Sequence, residues 1–341
     1  VLNAPCYVCY LLAVNLLVVV SLNNPVAFSV NNKLTVECPV VNTVSVLLDS
    51  EFRSNSVLAV CTICTVNAIL SVSAISTIQR WESFCWLLQQ SELCRRHCMD
   101  TRMLETLNRR NLGTLETPTN SYSDPYGLTT AIAVGLFYNK DRMDQWEIDR
   151  LGAEAVALTY GSPTAFLSGA VLAHIMSKLI RQPNAPLKKV VMEATEAMKE
   201  QFGHQYSQAA AIGTLIRHAI TLAESPGLRS VDVMEKLGCD NAAQVLAGAI
   251  YACLVSGSDF DRAMIVSVNH SGRSSAVGAI AGAILGIRLG EEALPDFYME
   301  CLEPAEVLRE LADDLHTGCP MEMGNKLFDL DWDYKYLNGG Q

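Results

Sequence analysis

Residues 267–286 constrain the fold most, because a short polar loop leads there directly into an apolar helix. Gly278, Gly282 and Gly286 recur every four residues and share one helix face. Glycine costs about 1 kcal/mol relative to alanine inside a helix, so we expect something to pack closely against these three. The polar loop, residues 270–275, precedes the positive end of the helix dipole and offers backbone N–H groups. We therefore expect a functional site at this loop.

Charge is distributed unevenly along the chain. The 341 residues include 25 basic and 36 acidic residues, and the net charge of −11 argues against nucleic acid as a partner. Only five charged residues lie within residues 1–79. Two apolar stretches there, 7–22 and 57–76, leave a membrane span or signal segment open. The first is short and lacks a basic flank, and the second carries six Ser, Thr or Asn residues, so we favour buried elements of a soluble core.

Cysteine is abundant, with twelve residues in the chain and eight of them in the first 98 positions. They form two Cys-x-x-Cys pairs and one Cys/His cluster, namely Cys6 and Cys9, Cys61 and Cys64, and Cys94, His97 and Cys98. A structural zinc site needs four converging ligands, and both pairs lie in apolar runs where cysteine packs as a small hydrophobic residue. We expect no zinc site. A chain of this size needs no disulfides, which favours a reducing compartment, the cytoplasm.

Helical patterns with clear boundaries dominate the chain after residue 80. They cover residues 82–93, 102–110, 144–160, 163–181, 186–202, 207–224, 231–237, 242–256, 261–268 and 304–316. Residues 112–127 are rich in Gly, Pro, Asn, Ser and Asp, which predicts a loop long enough to indicate function. Strands and helices do not alternate after residue 80, so we predict an all-α, multi-helix bundle forming one domain over residues 1–341.

Several motifs, in this order and spacing, resemble those of the ADP-ribosylglycohydrolases. They are Val134-Gly-Leu-Phe-Tyr138, Ile148-Asp-Arg-Leu-Gly-Ala-Glu-Ala155, Leu172-Ala-His-Ile175, Val268-Asn-His-Ser-Gly272, the run from Gly278 to Gly286, and Glu303-Pro304 with Asp313-Asp314. The resemblance is good over residues 80–316. It is faint over residues 1–79, which are strongly diverged.

The resemblance implies an all-α fold and a magnesium-dependent reaction. Members of this family hydrolyse the glycosidic bond between ADP-ribose and a modified protein side chain, using two magnesium ions. The ligands come from a Thr-Asp-Asp or Ser-Asp-Asp triplet near the N-terminus and from an Asp-x-Asp-Ser/Thr run before the Gly-rich helix. Mg²⁺ prefers such oxygen ligands, and two ions can orient the ribose and activate a water.

This sequence departs from the resemblance at both ligand positions. Before the Gly-rich helix, the positions of the ligands carry Arg273, Ser275 and Ala276, and the best match to the upstream triplet is Ser56-Val57-Leu58. These degenerate positions contain no carboxylate, so we expect no magnesium cofactor and assign no catalytic residue. The remaining candidates for a ligand-binding loop are Asn120, Ser121, Gly127, His270, Ser271 and Gly272.

Three side chains near these positions allow more than one interpretation. The Arg273 guanidinium stays protonated and would repel Mg²⁺, so it either fills the vacated cation position, pairs with a phosphate, or points into solvent. His270 is either a general acid or base or a loop residue with satisfied hydrogen bonds. Asp124 either replaces a lost carboxylate or is a turn residue before Pro125.

These observations favour a divergent, inactive or impaired member of the family that at most binds ADP-ribose or an ADP-ribosylated protein. One alternative is an active hydrolase whose metal ligands lie at unaligned positions. A second alternative is a membrane or assembly protein with an apolar N-terminal segment.

Overall fold

The computed structural model describes residues 101–108, 113–137, 143–300 and 305–317. Its α-helices are α1 (Thr101–Asn108), α2 (Leu128–Phe137), α3 (Gln145–Ala157), α4 (Pro163–Arg181), α5 (Leu187–Phe202), α6 (Gln208–Glu224), α7 (Ser230–Leu237), α8 (Ala242–Ser256), α9 (Phe260–Val268), α10 (Ser274–Leu289), α11 (Asp296–Glu300) and α12 (Ala305–Thr317). Short 3₁₀ helices cover Pro125–Gly127 and Glu291–Ala293. These described residues contain no strand, which confirms the predicted all-α class.

Helix α4 is the centre of the bundle. It packs against α2, α3, α5, α8 and α10, and α8 in turn packs against α6, α9 and α10. Among the described helices, α4 is long and apolar enough to cross a membrane. However, 83% of its apolar 18-residue segment is buried inside the protein. This burial identifies α4 as a core helix. The apolar stretches 7–22 and 57–76 lie outside the described residues, as do the Cys-x-x-Cys pairs and the predicted helix 82–93.

Peripheral and central helices differ in how their sequences are arranged. In α5 the buried side chains of Val190, Val191, Ala194 and Met198 lie on one face, and exposed residues such as Lys189 occupy the other. This 3.6-residue period explains why α5 could be predicted almost to the residue. Helix α10 is instead buried on all sides, including its three regularly spaced glycines. That another segment packs closely against these three glycines stays a prediction.

Two glycines bring α3 and α4 into close contact. A methyl group on Gly152 would overlap the Ala173 side chain, and one on Gly169 would lie 2.5 Å from Val156 Cγ2. Real Cβ atoms do not approach so closely, so each position excludes even alanine unless the helices separate. The contact sets the spacing at which side chains of α3 and α4 meet.

The helices on either side of the candidate loops, α2 and α10, differ from the prediction. Helix α2 begins at Leu128 and was not predicted, because Leu128 to Leu136 are all buried and provide no polar face to reveal the helical period. Helix α10 begins at Ser274, so Ser275 lies in its first turn and is buried, whereas the sequence placed it in the loop.

Candidate functional site

The two loops singled out in the sequence meet in the structure. Arg273, at the start of α10, donates from Nη1 to the Tyr126 hydroxyl at 3.1 Å. Its Nη2 lies 3.9 Å from Oδ1 of Asp124, in the loop before Pro125–Gly127. The Arg273 side chain therefore turns back onto the protein, although 46% of its surface is still exposed.

A second arginine reaches the same carboxylate from α1. Arg102 donates from Nη1 to Oδ2 of Asp124, whose side chain is only 10% exposed. Each guanidinium also lies near a tyrosine ring, Arg102 at 5.0 Å from the centroid of Tyr122 and Arg273 at 5.8 Å from that of Tyr126. We call these five residues the arginine–aspartate cluster. Because half of the Arg102 side chain is also exposed, the cluster presents two cations to solvent around one buried carboxylate.

Asn120 holds the loop that carries Asp124. Its amide group donates to Thr106 Oγ1 at 3.0 Å and to the Thr159 carbonyl at 2.9 Å. Its Oδ1 accepts from the backbone N–H groups of Tyr122 at 3.0 Å and Gly161 at 2.9 Å. These four bonds use both amide hydrogens and both carbonyl lone pairs, so the side chain secures the fold and is not available to a ligand.

The other two candidates in this loop have different environments. Gly127 is buried, and a methyl group there would lie 2.5 Å from Cδ2 of Tyr160, so glycine allows the 3₁₀ turn to pack against that ring. Ser121 is exposed. Of the three residues proposed in this loop, Ser121 is the one whose side chain faces solvent.

The turn between α7 and α8 supports the second loop. Arg273 donates its backbone N–H to the Cys239 carbonyl at 2.8 Å, and a methyl group on Gly272 would lie 2.5 Å from the Gly238 carbonyl oxygen. Among the described residues, Cys239 is the non-glycine residue with a left-handed backbone, at φ 49°. Ser271 donates its N–H to Glu235 Oε1 at 2.8 Å and its hydroxyl to Oε2. Residues 271–273, directly before α10, thus contact residues 235–239.

His270 is part of this support. Its Nε2 donates to the Ser267 carbonyl at 2.8 Å, and its Nδ1 accepts the Gly272 N–H at 3.1 Å. An imidazole that donates from one nitrogen and accepts at the other is neutral. Burial lowers the pKa of His270, and the hydrogen bond to the Ser267 carbonyl and the nearby carboxylates of Glu235 and Asp240 offset only part of this effect. Both nitrogens are engaged with the backbone, which leaves neither for proton transfer to a ligand.

The first turn of α10 is largely satisfied by the chain itself. The N–H groups of Ser274, Ala276 and Val277 donate to the carbonyls of Gly272 and Arg273 at 2.8–3.1 Å. Arg273 is the N-cap and its side chain makes no capping bond. The sequence predicted free N–H groups in the loop of residues 270–275, and for residues 271–274 the prediction is wrong, because each of these N–H groups already donates to an acceptor of the chain.

The donors near α10 do not fit magnesium. The described residues contain no group of three or more His, Cys, Asp or Glu side chains that could hold a metal ion. Ser275 and Ala276 are buried and offer no carboxylate, and the carboxylate nearest to Arg273, Asp124, is hydrogen-bonded by Arg102 and lies 3.9 Å from the Arg273 guanidinium. The degenerate positions Ser56, Val57 and Leu58 lie outside the described residues.

Sequence reasoning missed three members of the cluster, Arg102, Tyr122 and Tyr126. Arg102 lies 22 positions before Asp124 on a separate helix, and no local pattern links the two. The only signal was the length of the 112–127 loop, which marked the region without identifying its charged partners.

Comparisons with known proteins agree with this architecture. A family model described as ADP-ribosylglycohydrolase matches residues 57–324. A solved structure titled ADP-ribosylglycohydrolase-related protein complex superimposes with a TM-score of 0.54 over 76% of this chain and 80% of its own, at 19% sequence identity, which shows a shared fold. A protein of Archaeoglobus fulgidus, described as an uncharacterized protein, is 31% identical over 107 residues. That match spans 31% of this chain and 34% of the relative's length.

Proposed function

Because this chain belongs to the ADP-ribosylglycohydrolase family, we propose that it binds ADP-ribose, free or attached to a protein, and has lost or weakened the family's hydrolytic activity. The proposed binding site is the arginine–aspartate cluster together with the exposed Ser121, which precedes Tyr122 in the same loop. Binding there does not depend on a divalent cation.

The cluster has the chemistry to hold a pyrophosphate. A guanidinium presents five N–H donors in a planar fork that matches two phosphate oxygens. Arg102 and Arg273 are both half exposed and flank the same carboxylate. A phosphate approaching the pair would exchange the Asp124 contact for its own, so its net affinity is the difference between the two interactions.

The residues at the start of α10 favour impaired hydrolysis. The resemblance implies a two-metal centre that activates water, and the position of one ligand carries the permanently charged Arg273. Among the described residues near this loop, His270 could replace the metals as a base, but both its nitrogens bond to backbone groups. The expected metal-ligand positions at this loop, Arg273, Ser275 and Ala276, thus carry no carboxylate to hold a metal that would activate water.

One observation carries the proposal: a guanidinium, from Arg273, lies against the loop carboxylate Asp124 where the resemblance predicts a metal-binding run. The buried free thiols of Cys239 and Cys253 support the accompanying proposal of a cytoplasmic location, because a reducing compartment keeps thiols free.

The test is a calorimetric titration of the full chain with ADP-ribose, performed once with EDTA and once with Mg²⁺. The same protein is then incubated with an ADP-ribosylated protein, and released ADP-ribose is measured. We expect saturable binding in EDTA and no release above the uncatalysed rate. Binding that requires Mg²⁺, together with release, would show an active hydrolase with metal ligands elsewhere in the chain. Absence of binding under both conditions would overturn the ADP-ribose assignment.

A further inference from the structure

A cavity of about 1040 Å³ lies among α3, α4 and α5. It is separate from the arginine–aspartate cluster. The loop that carries Asp124 meets α4 at its beginning, where Ser162 donates its N–H to the Tyr122 carbonyl at 3.2 Å. His174 lines the cavity and lies 11 residues beyond Pro163 on α4, roughly 16 Å along the axis.

Asp149 and His174 form a buried pair in the wall of this cavity. His174 Nδ1 lies 2.7 Å from Asp149 Oδ2, and the Gln145 amide donates to Asp149 Oδ1 at 2.8 Å. Since a carboxylate can only accept here, Nδ1 is the donor. The other ring nitrogen, Nε2, is buried and has no hydrogen-bond partner among the described residues.

Gln201 brings a second buried atom to the same cavity. Its amide nitrogen donates to the Trp146 carbonyl at 3.1 Å, which fixes the orientation of the amide group. Oε1 is therefore an acceptor, and it too is buried without a partner among the described residues. In a neutral imidazole that donates from Nδ1, Nε2 of His174 is likewise an acceptor. A buried polar atom without a hydrogen bond costs about 1–3 kcal/mol, so two such acceptors in one cavity wall indicate that something else supplies donors.

The rest of the lining carries no excess of either charge on its exposed side chains. Lys178, Lys188 and Lys189 are matched in number by Glu193, Glu196 and Glu200. Two exposed apolar side chains, Trp146 and Met192, complete the wall. The indole and the thioether provide a surface for a flat apolar ring. The cavity thus offers an apolar surface, acceptors without hydrogen-bond donors, and equal numbers of lysine and glutamate side chains.

We propose that this cavity binds a small uncharged ring compound that carries at least two hydroxyl or N–H donors. The ring lies against Trp146 and Met192, and the donors bind Gln201 Oε1 and His174 Nε2. Both atoms lie beneath the cavity surface, so the side chains that cover them move when the ligand enters. This site is independent of the proposed ADP-ribose function.

The probe is resorcinol, an uncharged ring with two hydroxyl donors, titrated into the full chain by ligand-observed NMR. Its matched control is 1,3-dimethoxybenzene, which keeps the ring and the oxygen acceptors but has no donor. The variants are Gln201→Met, which removes the acceptor, and Trp146→Ala, which removes an exposed ring. Leu228→Ala is the control variant, because Leu228 is an exposed apolar residue that does not line the cavity.

We expect resorcinol to bind saturably and the dimethoxy compound to bind at least tenfold more weakly. Gln201→Met should weaken resorcinol binding roughly fivefold to tenfold, as expected for loss of one hydrogen bond. Trp146→Ala should weaken both compounds, and Leu228→Ala neither. Equal binding of the two compounds, or no saturable binding by resorcinol, would overturn the proposal and leave water as the partner of the two acceptors.

Discussion

Arg273 Nη2 lies 3.9 Å from Asp124 Oδ1, and the Arg273 backbone N–H is held at 2.8 Å by the Cys239 carbonyl. The side chain and the main chain of one residue therefore link the start of α10 to two separate turns. Because a protein side chain supplies the cation beside Asp124, an incoming anion competes with that carboxylate for the guanidinium. Changes to the two members of this pair should act on ligand binding with opposite signs.

Replacing Arg273 by Gln should weaken ADP-ribose binding by roughly tenfold, the scale of one charge-assisted hydrogen bond. Gln keeps a donor for the Tyr126 hydroxyl but removes the charge. Arg273→Lys should have an ADP-ribose affinity between those of the wild type and Arg273→Gln, because lysine retains the charge without the planar fork of the guanidinium. Titration calorimetry at low and high salt measures the effect, which should shrink as salt rises.

The control for this change is Arg229→Gln, since Arg229 is an exposed arginine paired with Asp232 at 3.5 Å, outside the cluster. ADP-ribose affinity should be unaffected there. An equal loss in both variants would indicate a general effect of net charge and contradict a specific contact at Arg273.

Replacing Asp124 by Asn should lower the free energy of unfolding by about 1–2 kcal/mol while tightening ADP-ribose binding. The carboxylate is buried, accepts a hydrogen bond from Arg102 and forms a longer ion pair with Arg273, but both arginines are half exposed, so water compensates part of the loss. Asn can still accept a hydrogen bond from Arg102. Urea denaturation and calorimetry measure the two effects, and Asp232→Asn at the exposed pair should change neither by more than about 0.5 kcal/mol. Weaker binding in Asp124→Asn would contradict competition between carboxylate and phosphate.

Gly152→Ala should destabilise the protein by about 1–3 kcal/mol, because the new methyl group overlaps Ala173 across the α3–α4 contact. The matched control is Gly213→Ala on α6, where the nearest atom is Cδ of the flexible Lys199 side chain at 2.9 Å. That side chain can move, and alanine gains up to about 1 kcal/mol in helix propensity, so Gly213→Ala should be neutral or stabilising. Thermal unfolding measures both variants. Equal shifts of the unfolding midpoint in the two variants would contradict the prediction.

The fold was predictable where the sequence marks its own boundaries. Pro163 at the first helical position and the basic residues of the last turn, Lys178 and Arg181, delimit α4, and the prediction of a helix from Pro163 to about Arg181 agrees with it. Helix α2 was missed because burial on all sides removes the polar face that reveals a period.

The candidate site was predictable as a place but not as a set of contacts. The polar residues before α10 indicated the loop, and the replacement of metal-ligand carboxylates inferred from the family motifs stays a prediction. Arg102 approaches Asp124 only because α1 packs beside the 113–127 loop, and Asn120 proved to be fully used by backbone groups of its own fold. Contacts between residues so far apart in the sequence depend on how the helices pack, and local sequence patterns do not predict that packing.

His270 should make the stability of the protein depend on pH below neutrality. Burial lowers its pKa in the folded chain from the ordinary value of 6.5, so as pH falls below that value the unfolded chain binds a proton that the folded chain does not. The free energy of unfolding contributed by His270 is thus fully present above pH 6.5 and decreases as pH falls toward the folded-state pKa. His270→Asn, whose side-chain oxygen can still accept the Gly272 N–H, should remove this dependence.

Urea denaturation at pH 7.5 and pH 5.5 measures the loss in the wild type and in this variant. The neighbouring Glu235 does not interfere in that range, because hydrogen bonds from Ser271 lower its pKa from 4.5 and it stays ionised throughout. The control is His204→Asn, since His204 is exposed and should leave the wild-type pH dependence unchanged. If His270→Asn loses as much stability between the two pH values as the wild type does, the buried neutral imidazole is not the source of the effect.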